Sequence, residues 1–185
     1  MRLLVIRHGQ TNGNTDGRLQ GQGSNESLTI DGVKEVVSSI PLFTNMRVHA
    51  LYSSPLARAR ETAEILARLF TIPVLERKEL LERDFGTLTG KTWDEISALG
   101  HIDLKEKDKA LHYDYRQFNG ESVEEVKTRI TLFLNELFEK YKEGTVLCVT
   151  HGGIVRILYD ILGVEQPTHN KNAALHQFEI HKRLA

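Results

Sequence analysis

The sequence predicts an α/β sandwich built around a mostly parallel sheet, and three observations support this prediction. Short runs of strand type alternate along the chain with longer segments of helical periodicity. The runs at 3–6 and 146–149 contain only apolar residues, as expected for strands that are buried on both faces. The length of 185 residues suits one domain, and no repeat or Pro/Gly-rich linker marks a boundary. We therefore expect a single domain over 1–185.

The first strand and the first long helix follow from a buried run and a helix cap. Residues 3–7 are Leu, Leu, Val, Ile and Arg, which predicts a strand. A loop rich in Gly, Asn and Gln follows over 12–27. Thr29 has the residue type of an N-cap and predicts a helix that runs to about Ser39.

A second strand is predicted at 48–52, and a helix follows it. Ser54 and Pro55 have the residue types of an N-cap and of a first helical residue. The apolar face of this helix consists of Leu56, Ala59, Ala63, Leu66, Ala67 and Phe70. A short third strand is predicted at 74–75, and a polar loop at 79–91.

Two capping boxes predict the next helices. Thr92-x-x-Glu95 predicts the start of a short helix, and Ser122-x-x-Glu125 predicts the start of a long one. The stripe of the long helix consists of Val123, Val126, Ile130, Phe133, Leu134, Leu137, Phe138 and Tyr141. Between the two helices, 101–118 is charged and poorly periodic.

The last predicted elements repeat the order of strand, turn and helix. They are a strand at 145–150, a turn at 151–153 and a helix over 154–162.

Composition excludes several classes of function. The 24 Lys and Arg residues are balanced by 25 Asp and Glu, so the net charge of −1 predicts neither nucleic acid nor a membrane as a partner. The single cysteine, Cys148, excludes a disulfide framework and a thiolate zinc site. Polar residues follow Ile6 too early for a signal sequence, so we expect a cytoplasmic protein. The charged run 105–109 is typical of an exposed surface.

Three strand-to-helix junctions predict the position of the site. In open α/β sheets, ligands bind beyond the carboxyl ends of the strands, where helix N-termini offer free N–H groups. These junctions carry Arg7 and His8 after the first strand, Arg58 after the second, and His151 and Gly152 after the last. Two guanidinium groups and two imidazoles suit a phosphoryl group, which arginine binds in bidentate fashion and histidine can attack.

The remaining histidines predict no chemistry. His8 and His151 each follow a buried strand and precede a glycine, which allows a ligand to approach the backbone closely. The others are expected to be surface or hydrogen-bonded residues: His49, His101, His112, His169, His176 and His181.

Five ordered motifs carry a resemblance to a known family. The motif Arg-His-Gly-Gln-Thr at 7–11 resembles the R-H-G-[EQ]-[ST] signature of the histidine phosphatases, the superfamily that includes cofactor-dependent phosphoglycerate mutases. Four further blocks follow in the order of the family, at 53–59, 81–86, 119–122 and 149–153. Together the blocks extend the resemblance from residue 1 to about residue 160.

The resemblance implies a phosphoglycerate mutase-like fold, a three-layer α/β/α sandwich with a mostly parallel central sheet. It implies that His8 is the nucleophile that becomes phosphorylated and that Glu82 is the proton donor. The second ring nitrogen of His8 is expected to be held by a backbone acceptor. The expected ligands of the phosphoryl group are Arg7, Asn14, Arg58, His151 and Gly152.

The segments around the implied site are expected to contact the rest of the substrate. The candidate substrate-binding residues are Gln20, Gly21, Arg83 and Tyr113, and Tyr113 and Tyr115 would suit a moderately apolar group. The segment 91–118 is expected to cover the substrate as a short insert. The chain departs from the family's usual pattern at 25–27 and at Glu35, which affects details of the substrate loop and not the reaction class.

The implied reaction is hydrolysis of a small phosphorylated metabolite without a metal or another cofactor. Candidate substrates include sugar phosphates, α-ribazole phosphate, phosphoserine and fructose bisphosphate. One alternative is a cofactor-dependent phosphoglycerate mutase, and another is a phospho-ligand binding module without activity. Mutases of the superfamily are longer and carry a tandem arginine pair in the insert, whereas Arg116 is the only arginine in 91–118. This difference favours the phosphatase.

Overall fold

A computed structural model of the chain describes residues 1–167 and 170–184, and within them five strands form one sheet. Along the chain the strands are β1 (Arg2–Arg7), β2 (Ala50–Ser53), β3 (Val74–Glu76), β4 (Thr145–Thr150) and β5 (Leu175–Glu179). Their order in the sheet is β3-β2-β4-β1-β5. All neighbouring strands are parallel except β5, which pairs antiparallel with β1. The predicted mostly parallel sheet is confirmed.

Helices cover both faces of the sheet. In the described part of the chain the α-helices are α1 (Asn12–Thr15), α2 (Ile30–Ser39), α3 (Ala57–Phe70), α4 (Trp93–Ala98), α5 (Leu104–Lys109), α6 (Val123–Lys140) and α7 (Gly152–Ile161). None of them is both long and apolar enough to cross a membrane.

Two apolar clusters hold the three layers together. Alternate residues of β1 point to opposite faces of the sheet, as the two-residue period of a strand requires. Leu3 and Val5 pack in the cluster that contains the buried faces of α6 and α7. Leu4 and Ile6 pack in the cluster that contains the buried faces of α2 and α3. The α/β/α sandwich is therefore confirmed.

The register of the central strands brings the two predicted histidines together. Arg7 of β1 is opposite Thr150 of β4, so the next residues, His8 and His151, leave the sheet side by side. The backbone N–H of His8 donates to the carbonyl of Thr150 at 2.9 Å, which extends the pairing by one residue. On the other side of β4, the N–H of Ser54 donates to Val149 O at 3.0 Å. All three junctions thus meet at one edge.

Several helix starts are confirmed and one is wrong. Thr29, Thr92 and Ser122 are N-caps whose side chains accept from the first turns of α2, α4 and α6. Ser54 is not an N-cap, because α3 begins at Ala57 after Leu56. The Ser54 hydroxyl accepts from the N–H of Leu56 at 3.3 Å and lies 2.8 Å from Nε2 of His151, so its side chain belongs to the site.

Other boundaries shift, and α1, α5 and β5 were not predicted. The second strand lies at Ala50–Ser53 instead of 48–52, and α7 begins at Gly152, inside the predicted turn. Helix α1 lies in the predicted loop and begins with a capping box between Thr11 and Asn14. Helix α5 lies in the poorly periodic segment 101–118, and β5 is an edge strand of alternating burial.

The charged run 105–109 is not wholly exposed, which corrects the prediction for this segment. It lies in α5, where Leu104 and Asp108, one helical turn apart, are both buried. Asp108 is only 3% exposed because two arginines and a tyrosine hydroxyl bind its carboxylate.

Candidate active site

A cavity of about 330 Å³ opens at the edge where β1, β2 and β4 end. Most of the predicted site residues line it: Arg7, His8, Asn14, Gln20, Gly21, Arg58, Glu82, Arg83 and Gly152. His151 lies beneath this lining, with its ring centroid 5.1 Å from that of His8. The structure therefore brings the predicted phosphate-binding residues together.

His8 is held in the tautomer that a nucleophile needs. Its ring is 3% exposed, and Nδ1–H donates to the carbonyl of Gly9 at 2.7 Å, which leaves the lone pair on Nε2. Burial, followed by the positive charges of Arg58 and Arg7, lowers the pKa of His8 well below its ordinary value. The imidazole is therefore neutral at physiological pH.

Arg58, which is buried, and Arg7, which is half-buried, place two positive charges beside His8. The Arg58 guanidinium donates to the carbonyls of Ser24 at 2.7 Å and Gly21 at 2.8 Å, and Arg7 donates to the carbonyl of Asn170. Among the described residues, neither arginine makes a salt bridge or has a partner for Nε. Burial lowers the pKa of Arg58 to about 10, so the group stays charged at neutral pH. A bound anion would compensate both charges.

His151 ends β4 and caps α7. It is fully buried, and Nδ1 has no hydrogen-bond partner among the described residues. Burial and the nearby charge of Arg58 lower the pKa of His151 well below its ordinary value. Gly152 begins α7 directly beside the Arg7 guanidinium, and a Cβ added at this position would only reach ordinary contact with Nε of Arg7, at 3.4 Å.

Asn14 is oriented by the cap of α1. Its Oδ1 accepts from the backbone N–H of Thr11 at 3.1 Å and from Asn172 Nδ2 at 3.1 Å. Because the oxygen is occupied in this way, the amide NH₂ is the group that Asn14 can offer to an anion in the cavity.

Glu82 is fixed by three donors. Oε1 accepts from the backbone and the Nη1 of Arg83, at 2.9 and 3.1 Å, and Oε2 accepts from the N–H of Gly153 at 3.0 Å. Burial raises the pKa of Glu82, but Arg83 and these backbone donors outweigh it and leave the pKa below its ordinary value. A side chain at Gly153 would overlap both Glu82 and Arg83, so this position requires glycine.

Tyr113 is the predicted substrate contact that the structure does not bring into the cavity. Its ring is 1% exposed and stacks on Tyr115, with centroids 4.9 Å apart. Both tyrosines belong to the apolar core beneath the insert, and Arg83 lies between Tyr113 and the cavity side of that core.

Several residues that line the cavity were not predicted as site residues, among them Arg18, Trp93, Asp108 and Arg156. Arg156 lies one turn after Gly152 on α7, so helical spacing from the His-Gly motif could have found it. Asp108 could have been found only by pairing it with Leu104 at a spacing of four residues.

The other histidines with a described position lie away from the cavity lining. His49 accepts from the N–H of Thr145, and His176 is paired with the Tyr159 hydroxyl. His112 and His181 are exposed. His169 lies outside the described residues. Within the described ranges, no group of three His, Cys, Asp or Glu side chains is arranged to hold a metal ion.

The sequence profile of the histidine phosphatase superfamily (branch 1) matches residues 3–183. The chain belongs to the histidine phosphatase superfamily. A metal-independent phosphoserine phosphatase of Arabidopsis thaliana is 34% identical to this histidine phosphatase over 163 residues. That alignment covers 85% of this chain and 66% of the relative, just under two thirds of its length. Phosphoglycerate mutase-like protein 4 of the same plant is 30% identical, over 85% of this chain and 69% of the relative.

Solved structures of similar fold cover nearly the whole histidine phosphatase chain. A mycobacterial glucosyl-3-phosphoglycerate phosphatase, solved in complex with VO3, superposes with a TM-score of 0.83 at 27% identity, covering 95% of this chain and 91% of that one. YhfR of Bacillus stearothermophilus superposes with a TM-score of 0.86 at 26% identity, covering 99% and 93%.

Proposed function

We propose that this histidine phosphatase hydrolyses the phosphomonoester of a small metabolite through a phosphohistidine on His8, without a metal ion. One observation carries the proposal: the neutral imidazole of His8, with Nδ1 held by the carbonyl of Gly9, lies beside Arg58 and Arg7, which have no carboxylate partner among the described residues. This arrangement combines a nucleophile with a binding site for an oxyanion.

Substrate binding uses the cations and the end of α7. Arg7 and Arg58 compensate the charge of the phosphoryl group, and the N-terminus of α7 at Gly152 offers N–H groups to it. The amide of Asn14 and the imidazole of His151 complete the set. Phosphoryl transfer asks mainly for such positioning and charge stabilisation.

In the first step, Nε2 of His8 attacks phosphorus, a P–N bond forms and the P–O bond to the leaving group breaks. Glu82 gives its proton to the departing alkoxide and becomes a carboxylate. The free enzyme holds Glu82 ionised, but a bound phosphate dianion close to it raises the pKa of its carboxyl group by like-charge repulsion. Substrate binding thereby protonates Glu82, so that it can act as the general acid.

In the second step, water attacks the phosphorus of phosphohistidine. The Glu82 carboxylate takes a proton from this water, the P–N bond breaks, and inorganic phosphate leaves with neutral His8 restored. Each proton taken in the first step is replaced in the second, so the cycle closes without a metal ion or another cofactor.

The insert favours hydrolysis over mutase chemistry. A mutase must hold a second anion over the site, yet the cavity-lining cations other than Arg7 and Arg58 are already paired. Arg18 pairs with Glu95 at 3.3 Å, and Lys109 pairs with Glu106 at 2.8 Å. Asp108 binds both remaining cavity arginines, Arg83 and Arg156. We expect release of phosphate to dominate over phosphoglycerate interconversion.

The substrate is a small phosphorylated metabolite. A cavity of about 330 Å³ suits a phosphoryl group plus a compact leaving group. The names of the relatives supply candidates for a first panel: phosphoserine, glucosyl-3-phosphoglycerate and, from a fish relative called a probable fructose-2,6-bisphosphatase, fructose 2,6-bisphosphate. A cytoplasmic location and the lack of nucleic-acid or membrane partners stay predictions from the sequence.

The test is phosphate release from a panel of phosphomonoesters in excess EDTA. We expect turnover that the chelator leaves unchanged, complete loss in His8→Ala, and full activity in the matched control His181→Ala, whose side chain is exposed. A requirement for Mg²⁺ would contradict the mechanism. Faster mutase turnover than phosphate release, with 2,3-bisphosphoglycerate as primer, would support the mutase, and binding of phosphate without turnover would support the binding module.

A further inference from the structure

Asp108 of the insert is a buried carboxylate whose oxygens are fully used. Oδ1 accepts from Nε of Arg83 at 2.9 Å and from the Tyr115 hydroxyl at 2.6 Å. Oδ2 accepts from Nη2 of Arg83 at 3.0 Å and from Nη2 of Arg156 at 2.7 Å. One carboxylate thus joins two arginines that come from different parts of the chain.

Arg83 connects this carboxylate to the proposed acid. One edge of its guanidinium is bound in bidentate fashion by Asp108, and the remaining nitrogen, Nη1, donates to Oε1 of Glu82 at 3.1 Å. The group also lies over the ring of Phe85, 4.6 Å from its centroid. Arg83 therefore has one fixed position, set by Asp108 on one side and Glu82 on the other.

Asp108 and Glu82 both pair with Arg83, so the charge on Asp108 affects how strongly Arg83 holds the Glu82 carboxylate in its ionised form. A guanidinium whose charge is partly compensated by Asp108 attracts the Glu82 carboxylate less than an uncompensated one. Arg156 also pairs with the Asp108 carboxylate and therefore reduces the negative charge that Asp108 offers to Arg83. Because all four groups are at least partly buried, water screens these interactions weakly.

We propose that Asp108 is a positioning residue for the proton-transfer step, acting on Glu82 through Arg83. It holds Arg83 in contact with Glu82 while neutralising the arginine enough for Glu82 to take up and release a proton during turnover. The proposal rests on the proposed function of Glu82, and Asp108 itself needs no contact with the reacting atoms. The insert would then position the proton donor as well as cover the substrate.

The test compares the pH dependence of kcat in three variants with an alkyl phosphate and with p-nitrophenyl phosphate. In Asp108→Asn, Arg83 turns to Glu82 as its remaining carboxylate, so we expect the alkaline limb of the alkyl phosphate profile to move to lower pH. The loss at pH 7 should be about 10-fold or more for the alkyl phosphate and at least several-fold smaller for p-nitrophenyl phosphate, whose leaving group needs less protonation.

Arg156→Gln should move the same limb to higher pH, since the whole charge of Asp108 is then available to Arg83. The matched control is Asp114→Asn, an exposed carboxylate of the insert that pairs only with exposed Arg116. It should leave the profile unchanged. Opposite shifts in the two test variants are not produced by a merely structural role.

Equal losses on both substrates with an unmoved limb in folded Asp108→Asn would overturn the proposal. If this variant fails to fold, Arg156→Gln decides alone: a shift to higher pH supports the proposal, and no shift or a shift to lower pH overturns it. Formation of phosphohistidine in the wild type tests the proposed function separately. A trapped phosphohistidine together with an unchanged alkaline limb of the kcat profile would contradict only the role of Asp108.

Discussion

At the scale of single residues, burial and the neighbouring charges set the protonation state of each titratable group in the site. His8 and His151 are buried beside two arginines and are kept neutral, whereas Glu82 is buried among donors and is kept ionised. The imidazole of the proposed nucleophile is therefore unprotonated, and under the proposed mechanism the Glu82 carboxyl group takes up its proton only when an anion binds. On an exposed surface, water would screen the charges of the arginines, and the same side chains would keep their ordinary pKa values.

The role of Glu82 predicts a dependence on the leaving group. Glu82→Gln removes the proton donor but keeps the shape, and we expect a loss of about 10²-fold or more in kcat for alkyl phosphates. The loss should be smaller for p-nitrophenyl phosphate, because a phenolate leaves without help. Steady-state rates on both substrates measure this difference. An equal loss on both would show that Glu82 binds or orients and would make Asp84 the next candidate.

The neutral histidines also predict a pH dependence of stability. Their pKa values are lowered in the folded protein, so between pH 7 and 5 the unfolded chain binds protons that the folded chain does not. The free energy of unfolding should be fully developed above about pH 6.5 and should fall as the pH decreases. Denaturant titrations at several pH values measure it.

The matched comparison is between His8→Gln and His181→Gln. In His8→Gln the free energy of unfolding should decrease less between pH 7 and 5 than in the wild type. In His181→Gln, at an exposed position, it should decrease as in the wild type. A wild-type stability that stays constant over this range would show that the two buried histidines take up protons in the folded protein as readily as in the unfolded chain, which would contradict their burial as neutral groups.

At the scale of elements, the ends of strands and helices were predictable where a local cap fixes them. Thr29, Thr92 and Ser122 carry their own hydrogen-bonding oxygen, so the residue type alone marks the start of a helix. Ser54 has the same residue type but bonds to His151, a partner 97 positions away that no local pattern reveals. Strand β5 escaped prediction because His176 and Gln177 interrupt its apolar residues, and pairing with β1 gives it its structure.

Two serines therefore predict different effects on activity. Ser54→Ala removes the partner of His151 Nε2 and of the Leu56 N–H, and we expect about a 10-fold loss of kcat together with a loss of about 1 kcal/mol of stability. Ser122→Ala removes the capping box of α6 and should cost about 1 kcal/mol of stability with activity retained. Thermal unfolding and steady-state rates of both variants separate the effects. A Ser54→Ala protein that loses stability and keeps its activity would reinstate Ser54 as a helix cap.

At the scale of the whole molecule, the parallel strands gather at one edge residues that lie far apart in the sequence. The ordered motifs were enough to predict the sandwich and the place where the proposed phosphate-binding residues meet. They were not enough for Tyr113, whose ring lies in the core, or for Asp108, whose neighbours in 105–109 suggest an exposed surface. Both belong to the insert, where irregular backbone and long-range contacts decide which side chains point inward.

Arg58 and Arg7 have no carboxylate partner in the part of the chain that the structure describes, which predicts that an oxyanion stabilises the whole fold. Vanadate or phosphate at 100 times its Kd should add about 2.7 kcal/mol to the stability of the folded state and raise Tm accordingly. Arg58→Gln should abolish most of this shift, whereas Arg60→Gln, at an exposed position of the same helix, should retain it. Thermal unfolding at increasing vanadate concentration provides the measurement. An unchanged shift in Arg58→Gln would place the anion elsewhere.

The formation of phosphohistidine tests the central claim most directly. The enzyme is mixed with a ³²P-labelled phosphomonoester in excess EDTA, quenched within one turnover under alkaline denaturing conditions, and digested for mapping of the label. We predict a label that is stable to alkali, labile to acid and attached to His8, and that is absent from His8→Ala. A protein that turns over substrate without such a label, that carries it on another residue, or that acquires it only with Mg²⁺ would contradict the mechanism.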